Sequence, residues 1–448
     1  MPTHLILLAA GEGTRMQSDT PKVLHRIAGA PLFQHAMNSA AELDGRRVLV
    51  VGHGGAAVAK AAREIDPEIL IAEQKEQLGT AHAVVQASEA LNGAGGDTVM
   101  LFGDTPFIRP ETLTRMKDMR GQGADIVFLG FEAADPGRYG RMVTEGDTLV
   151  RIVEFKDAND SERAITLCNS GVVMAETSTL LRLAAAVGND NAAGEYYLTD
   201  IPALASKEGL VTKVVTCPEE ETLGINTRAN LAAAEKVFQD RARAEALENG
   251  VTLTAPDTVH FAADTVIGRD AIIDPFVVFG PGVTVESEAH IRAFSHLEGA
   301  HVGARAVVGP YARLRPGAEL SNDTRIGNFV EIKNAEIGDG AKVNHLSYIG
   351  DASIGARSNV GAGTITCNYD GVFKHRTEIG ADVFIGSNTM LVAPVKVGDE
   401  AMTATGGVIT CDVPAGDMAV ARARQVNKPG FARKLFSRLR AAKAAKKG

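Results

Sequence analysis

The sequence predicts an α/β domain with a Rossmann-like, mixed but mostly parallel sheet, followed by a parallel β-helix of hexapeptide repeats. Two observations carry this. Over residues 1 to about 227, short apolar runs alternate with segments of helical periodicity. Beyond them, aliphatic residues recur every sixth position, as in Ile267, Ile273, Phe279, Val285, Ile291 and Leu297. A period of six fits neither a helix nor a flat strand. It is the signature of a solenoid whose coils stack on one another.

Composition sets the bounds. The 448 residues leave room for two or three domains. A hydrophobic content of 45% and a charged content of 23% are ordinary for a soluble globular protein. No apolar run approaches the ~18 residues of a membrane span. Leu5–Ala10 lacks a basic flank and ends in a glycine-rich loop, so it reads as a buried strand rather than a signal peptide. The expected location is the cytoplasm. Cys168, Cys217, Cys367 and Cys411 are scattered, with neither metal-ligand spacing nor a disulfide framework. A net charge of −9 argues against nucleic acid as a partner of the whole chain.

In the first domain, Leu5–Ala10, Arg47–Val51, Glu68–Ala72, Thr98–Phe102 and Asp125–Gly130 read as strands. Ala81–Leu91 and Thr112–Arg120 read as helices between them. Ligands in such a domain lie beyond the carboxyl ends of the strands. The first strand runs into Leu8-Ala9-Ala10-Gly11-Glu12-Gly13-Thr14-Arg15, a turn whose glycines let backbone N–H groups approach a phosphate. Arg15 adds a fork of donors and Lys22 a point charge. It is not the dinucleotide fingerprint, because Met16 stands where a third Gly would fall. Thr98–Phe102 ends in Gly103-Asp104, a carboxylate able to hold Mg²⁺, or to cap a helix.

These stretches resemble the sugar-1-phosphate nucleotidyltransferases. Gln74 with Gln77-Leu78-Gly79-Thr80-Ala81-His82 resembles the family's uracil loop. Tyr139-Gly140-Arg141, Ile152–Ala158, Cys168–Gly171, Gly194–Asp200 and Gly224–Thr227 resemble its sugar-binding segments. The resemblance spans residues 3 to 425 and extends to enzymes in which an acetyltransferase prism follows the uridyltransferase domain. It implies that Arg15 and Lys22 are catalytic and sit on the triphosphate. It also implies that UDP-N-acetylglucosamine contacts Leu8, Ala9, Ala10, Gly11, Lys22, Gln74, Gly79, Thr80, Gly140, Glu154, Asn169 and Asn226. Asp104 and Asn226 would hold Mg²⁺, although Asn226 could equally cap the helix that follows. Glu12 stands where the family often has Lys, and its side chain is expected to face solvent. The nucleophile would be an ionised sugar phosphate, so no general base is assigned in this domain.

Arg228–Asn249 is expected to be a connecting helix, capped by Thr227 or Asn226 and stopped by Gly250. The domain limits are thus 1–227, a linker helix over 228–250, a prism over 251–425, and a basic tail over 426–448. In the prism, three hexads close one coil. The usual crossover rule would make it right-handed; a left-handed β-helix, and assembly as a homotrimer, are implied by the resemblance alone.

Arg315 and Lys333 each follow a rung and lie 18 residues apart, one full coil. Stacked cations suggest an anion between them, or else an exposed basic ladder. His345 is the candidate general base, expected beside this pair, and a structural histidine is the alternative reading. The ladder then breaks at the loop Gly361–Gly371, an insertion of the kind that lines sites. The resemblance implies that Arg315, Lys333, Tyr348 and Asn359 bind glucosamine 1-phosphate, with Glu331 as an orienting residue. Ala362, Asn368, Tyr369, Ser387, Thr405 and Arg422 would contact acetyl-coenzyme A, Asn368 and Tyr369 also touching the sugar. Thr405 replaces the family's usual Ala. The tail carries Arg433, Lys434, Arg438, Arg440, Lys443, Lys446 and Lys447 without an acid. It reads as a solvated, partly disordered end, with contact to an acidic membrane surface as the lesser alternative.

The implied function is acetyl transfer from acetyl-coenzyme A to glucosamine 1-phosphate, then Mg²⁺-dependent uridyl transfer from UTP to the product. The alternatives are a nucleotidyltransferase whose prism only trimerises and a regulatory subunit that binds sugar nucleotides without turnover.

Overall fold

The structure is a computed structural model that describes residues 1–191 and 193–446. Lys447 of the basic tail lies outside the described residues. The chain divides into two compact units, Met1–Glu245 with Phe261–Ala263, and Ala246–His260 with the chain from Asp264 onward.

The first unit is built on nine strands: β1 (Thr3–Ala9), β2 (Arg47–Val51), β3 (Leu70–Glu73), β4 (Asp97–Phe102), β5 (Ile126–Glu132), β6 (Arg141–Glu145), β7 (Thr148–Val153), β8 (Leu167–Glu176) and β9 (Thr212–Cys217). Their order in the sheet is β3-β2-β1-β4-β8-β5-β9-β7-β6. All seven residues of β1 are buried. Leu5 and Leu7 enter the core on one face, Ile6 and Leu8 the core on the other. A strand covered on both faces reads as a continuous apolar run, which is why β1, β2, β4 and β5 were legible. The sheet is mixed, as expected. β1 is parallel to β2 and β4, and β5 to β9, but β8 runs antiparallel to both β4 and β5. The pattern hid β8 because its register shifts between Asn169 and Val173. The β1/β4 pair, where the strand order reverses, opens the ligand crevice.

Helix Arg228–Glu248 follows the expected limits. Its cap is Thr227, whose Oγ1 accepts from Asn230 N–H at 3.1 Å while Asn230 Oδ1 accepts from Thr227 N–H at 3.1 Å. Asn226 is therefore free of capping duty. Ala234 and Gln239 are buried, and Phe238 packs on the cluster of Ile27, Leu32 and Phe107. Because of this packing the compact unit extends to Glu245, past the limit at 227 read from the sequence.

The second unit is a left-handed parallel β-helix. The sixfold ladder resolves into three columns, one per face. Ile273, Ile291, Val308, Ile326, Val343, Val360 and Ile385 pair in succession on the first. Ile267, Val285, Val302, Leu320, Ile337, Ile354, Ile379 and Val397 form the second. Phe279, Leu297, Leu314, Ile332 and Ile349 form the third. Almost every rung is fully buried, so the interior is a stack of aliphatic layers. At the corner between the first and third faces, Phe276, Phe294, Tyr311, Phe329 and Leu346 all adopt positive φ. The four rings stack with centroids 4.9–5.3 Å apart, and each is about half exposed.

The tail departs from expectation. Phe431–Ala445 forms a helix that starts after Gly430 (φ +69°), and none of its residues is buried.

Candidate active sites

In the first unit, the loop after β1 and the end of β4 enclose a cavity of about 480 Å³. Leu8, Ala9, Ala10, Gly11, Lys22, Gln74, Gly79, Thr80 and Asp104 line it, as the sequence suggested. Gly13 is fixed by geometry: at φ +65°, a Cβ there would lie 2.6 Å from Lys22 Cβ. The missing side chain thus lets the loop close against Lys22. The Lys22 ammonium forms an ion pair with Asp104 and donates to Asn226 Oδ1 at 3.1 Å. Arg15 is exposed, and its guanidinium donates to the same Oδ1 at 2.9 Å. Two hard oxygen donors, Asp104 and Asn226, therefore converge where a cation already sits. That donor set fits Mg²⁺, which takes few protein ligands and leaves the remaining positions to phosphates and water. Among the described residues no group of three or more His, Cys, Asp or Glu gathers to hold a metal. Glu12 is exposed, as expected, and also lines the cavity.

A second cavity of about 330 Å³ shares Thr80, Phe102 and Glu195 with the first and contains Gly140, Glu154 and Asn169. The Asn169 backbone N–H donates to Gly140 O at 2.9 Å, and Asn169 Oδ1 accepts from Gly171 N–H at 3.0 Å. Burial pushes the Glu154 carboxyl up, with Asp157 and Asp200 adding to it, while the Thr199 hydroxyl bonded to it at 3.2 Å opposes. Gln74 is buried and donates to Gly79 O at 3.1 Å, which holds the turn before helix Thr80–Gln86. Two residues of stretches that the sequence reading named, but gave no role of their own, also belong to these walls. Gln77 donates to Ala10 O at 3.0 Å and so ties the two loops together. Glu195 lines both cavities.

On the prism, the stacking of Arg315 on Lys333 holds, since Leu314 pairs with Ile332. The need for an external anion does not. Arg315 pairs with Glu331 at 2.9 Å, and Lys333 with Asp351 at 3.3 Å. Asp351 is the hub. It accepts from Asn334 at 2.7 Å and from Asn368, which is itself buried. Burial works against this carboxylate, yet the bonds from Asn334, Asn368 and Lys333 outweigh it and hold its pKa low. Lys374 joins the cluster unannounced by the sequence. Lys333 beside it lowers its pKa, and Arg315 adds to the effect. Three cations against two carboxylates leave an excess of positive charge.

His345 is exposed, and its Nδ1 lies 2.9 Å from Asn328 Oδ1. With the Asn328 amide oxygen facing it as acceptor, the neutral ring carries its proton on Nδ1 and keeps a lone pair on Nε2. His345 does not sit beside the cation pair. It ends the strand Lys342–His345, Leu346 turns one corner, Tyr348–Gly350 crosses the face, and Asp351 turns the next corner under Lys333. The base and the cations thus occupy opposite edges of one face. Two residues after successive rungs lie at one corner only if they follow those rungs by the same offset, and these do not.

Asn328 pairs with His345 in register, and Ala362, Ser387 and Thr405 continue that column, each two positions past the paired Val360, Ile385 and Thr403. At about 4.8 Å per coil, the run from His345 to Thr405 covers about 14 Å. Arg422 donates to Thr405 O at 2.9 Å and closes its end. Asn359 stands on the first face between Lys342 and Phe384, away from the cations. Tyr369 is exposed and donates to Gly371 O at 2.6 Å.

Residues 5–195 match the model of the MobA-like NTP transferase domain, and residues 264–299 that of the bacterial transferase hexapeptide (six repeats). The bifunctional protein GlmU of Dinoroseobacter shibae is 67% identical over 447 residues, 100% of this chain and 99% of that protein. The chain belongs to the GlmU family. GlmU of Ruegeria pomeroyi is 66% identical with the same coverage, and that of Jannaschia sp. is 60% identical over 99% of this chain and 98% of its own. Membership accounts for an NTP transferase unit and a hexapeptide unit on one chain, each with its own constellation.

Proposed function

We propose that this member of the GlmU family catalyses two reactions: acetyl transfer from acetyl-coenzyme A to glucosamine 1-phosphate, then uridyl transfer from UTP to N-acetylglucosamine 1-phosphate, releasing pyrophosphate. Residues 1–227 carry the second reaction and residues 251–425 the first. The supporting observation is that one chain holds two separate constellations, Arg15–Lys22–Asp104–Asn226 and Asn328–His345 with Arg315–Lys333–Lys374.

In the uridyl site, Gln74 and Gly79 face the base, Lys22 and Arg15 the phosphates, and Gly140, Glu154 and Asn169 the sugar. Mg²⁺ held by Asp104 and Asn226 would neutralise charge on the triphosphate. The sugar phosphate oxygen attacks the α-phosphorus and the bond to pyrophosphate breaks; Arg15 and Lys22 stabilise the leaving charge.

In the acetyl site, the free Nε2 of His345 accepts a proton as the glucosamine nitrogen attacks the thioester carbonyl, and the thiolate of coenzyme A leaves. The column Ala362–Ser387–Thr405, closed by Arg422, offers an edge along which the extended coenzyme can lie. Tyr348 and the cation cluster hold the sugar phosphate, Asn368 and Tyr369 border it, and Asn359, on the first face, reaches it from a neighbouring copy. Because His345 and the cations lie at opposite edges of one face, a second copy is needed to bring a cation edge to a base. The exposed aromatic column at the His345 corner supports such packing, and a trimer lets every base meet a neighbour.

The test is an assay offering acetyl-coenzyme A, glucosamine 1-phosphate, UTP and Mg²⁺ together, with free thiol and pyrophosphate followed separately. Both should appear, with thiol leading. Pyrophosphate formed from supplied N-acetylglucosamine 1-phosphate without any thiol release would favour a prism that only assembles the chains.

A further inference from the structure

We propose that the helix Phe431–Ala445 is an interfacial anchor that binds an anionic lipid surface. At about 100° per residue, its side chains separate into two arcs. Phe431, Leu435, Phe436 and Leu439, with Ala432 and Ala442, share one arc, which Lys443 interrupts between Ala432 and Phe436; Arg433, Lys434, Arg438 and Arg440 share the other. All four large apolar side chains are exposed, between 42% and 58%. The chain carries a net charge of −9, yet no acid follows Asp417, while Arg422, Arg424, Lys428 and the helix cations do. Charge and apolarity are thus concentrated together in one segment with a clean start after Pro429-Gly430.

The length decides the mode of binding. Fifteen residues reach about 22 Å, short of the ~30 Å hydrocarbon core. Among the described residues no helix is long and apolar enough to cross a membrane. A short amphipathic basic helix instead lies in the interface, its apolar arc among the acyl chains and its cations at the headgroups. Charge complementarity selects this occupant over a second copy of the helix. Pairing two such arcs would set cations against cations, with no acid on either helix to offset them. Phosphate binding alone would leave the Phe and Leu side chains without a partner.

The test uses the full-length protein with sedimenting vesicles of phosphatidylcholine alone and of an equimolar mixture with phosphatidylglycerol. The protein should pellet with the mixed vesicles and remain in solution with the neutral ones. The double substitution Leu435→Ser/Leu439→Ser should lower partitioning about tenfold or more. The natural chain has no Trp, so Phe436→Trp provides a single reporter, whose emission should shift to the blue only when anionic vesicles are added. The proposal is overturned if the protein stays in solution with both vesicles, or if the double substitution leaves pelleting unchanged. A blue-shifted Phe436→Trp emission without lipid, lost on dilution, would assign the helix to a second copy instead.

Discussion

Removing Asn328 tests whether the base is oriented by its neighbour in the column. In Asn328→Ala, His345 loses the acceptor 2.9 Å from Nδ1, and nothing then selects the tautomer that leaves Nε2 free. A neutral hydrogen bond contributes about 0.5–1.5 kcal/mol net. At about 1.4 kcal/mol per tenfold in rate, acetyl transfer should slow by about two- to twelvefold. His345→Ala should cost far more, on the order of 10²–10⁴. Asn328→Asp keeps the acceptor and adds a negative charge beside the imidazole. It should raise the base's pKa and move the acidic limb of the kcat/KM profile to higher pH, with much of the rate retained. The assay follows free thiol with saturating acetyl-coenzyme A, and pyrophosphate release in the same preparation serves as the control. An Asn328→Ala enzyme with unchanged kcat, together with an Asn328→Asp profile superimposed on that of the natural enzyme, would refute the reasoning.

Gly13→Ala should impair uridyl transfer and spare acetyl transfer, because the new Cβ would sit 2.6 Å from Lys22 Cβ at φ +65°; initial rates of pyrophosphate and thiol release check this. Leu314→Ala empties a fully buried rung and should cost about 3 kcal/mol, seen as an earlier transition of the prism in denaturant. Asp351 is held below the ordinary carboxylate range, so its contribution to stability is present above about pH 4 and is lost as pH falls through the lowered value. The thermal midpoint should therefore drop in acid, and Asp351→Asn should flatten that drop while lowering the midpoint near neutrality.

The prism was legible because its periodicity is enforced by packing. Every sixth residue must fill the interior, and Leu314, Ile332 and Ile349 pair one coil apart as the spacing required. What periodicity could not show is which corner a residue between rungs occupies. His345 and Lys333 are near in sequence yet lie at opposite edges of a face, and Asn328 meets His345 only through strand register. Lys374 was hidden for another reason: it lies on an insertion whose return to the prism depends on Asn368 and Asp351, not on any repeat. In the first unit, doubly covered strands announced themselves, whereas β8 carries Asn169-Ser170-Gly171 in its middle and lost its pattern to the cavity it lines. The helical tail was misread because its apolar side chains pack on nothing, so composition pointed to disorder while local propensity favoured a helix.

The central claim is that one chain carries two independent active sites, and paired single substitutions test it most directly. Thiol and pyrophosphate release are measured for Lys22→Ala and His345→Ala, with each half-reaction supplied its own substrate. Lys22→Ala should lose uridyl transfer and keep acetyl transfer at its full rate, and His345→Ala should do the reverse. If either substitution removes both activities from a protein that remains folded, or removes neither, two separate sites on one chain would be contradicted.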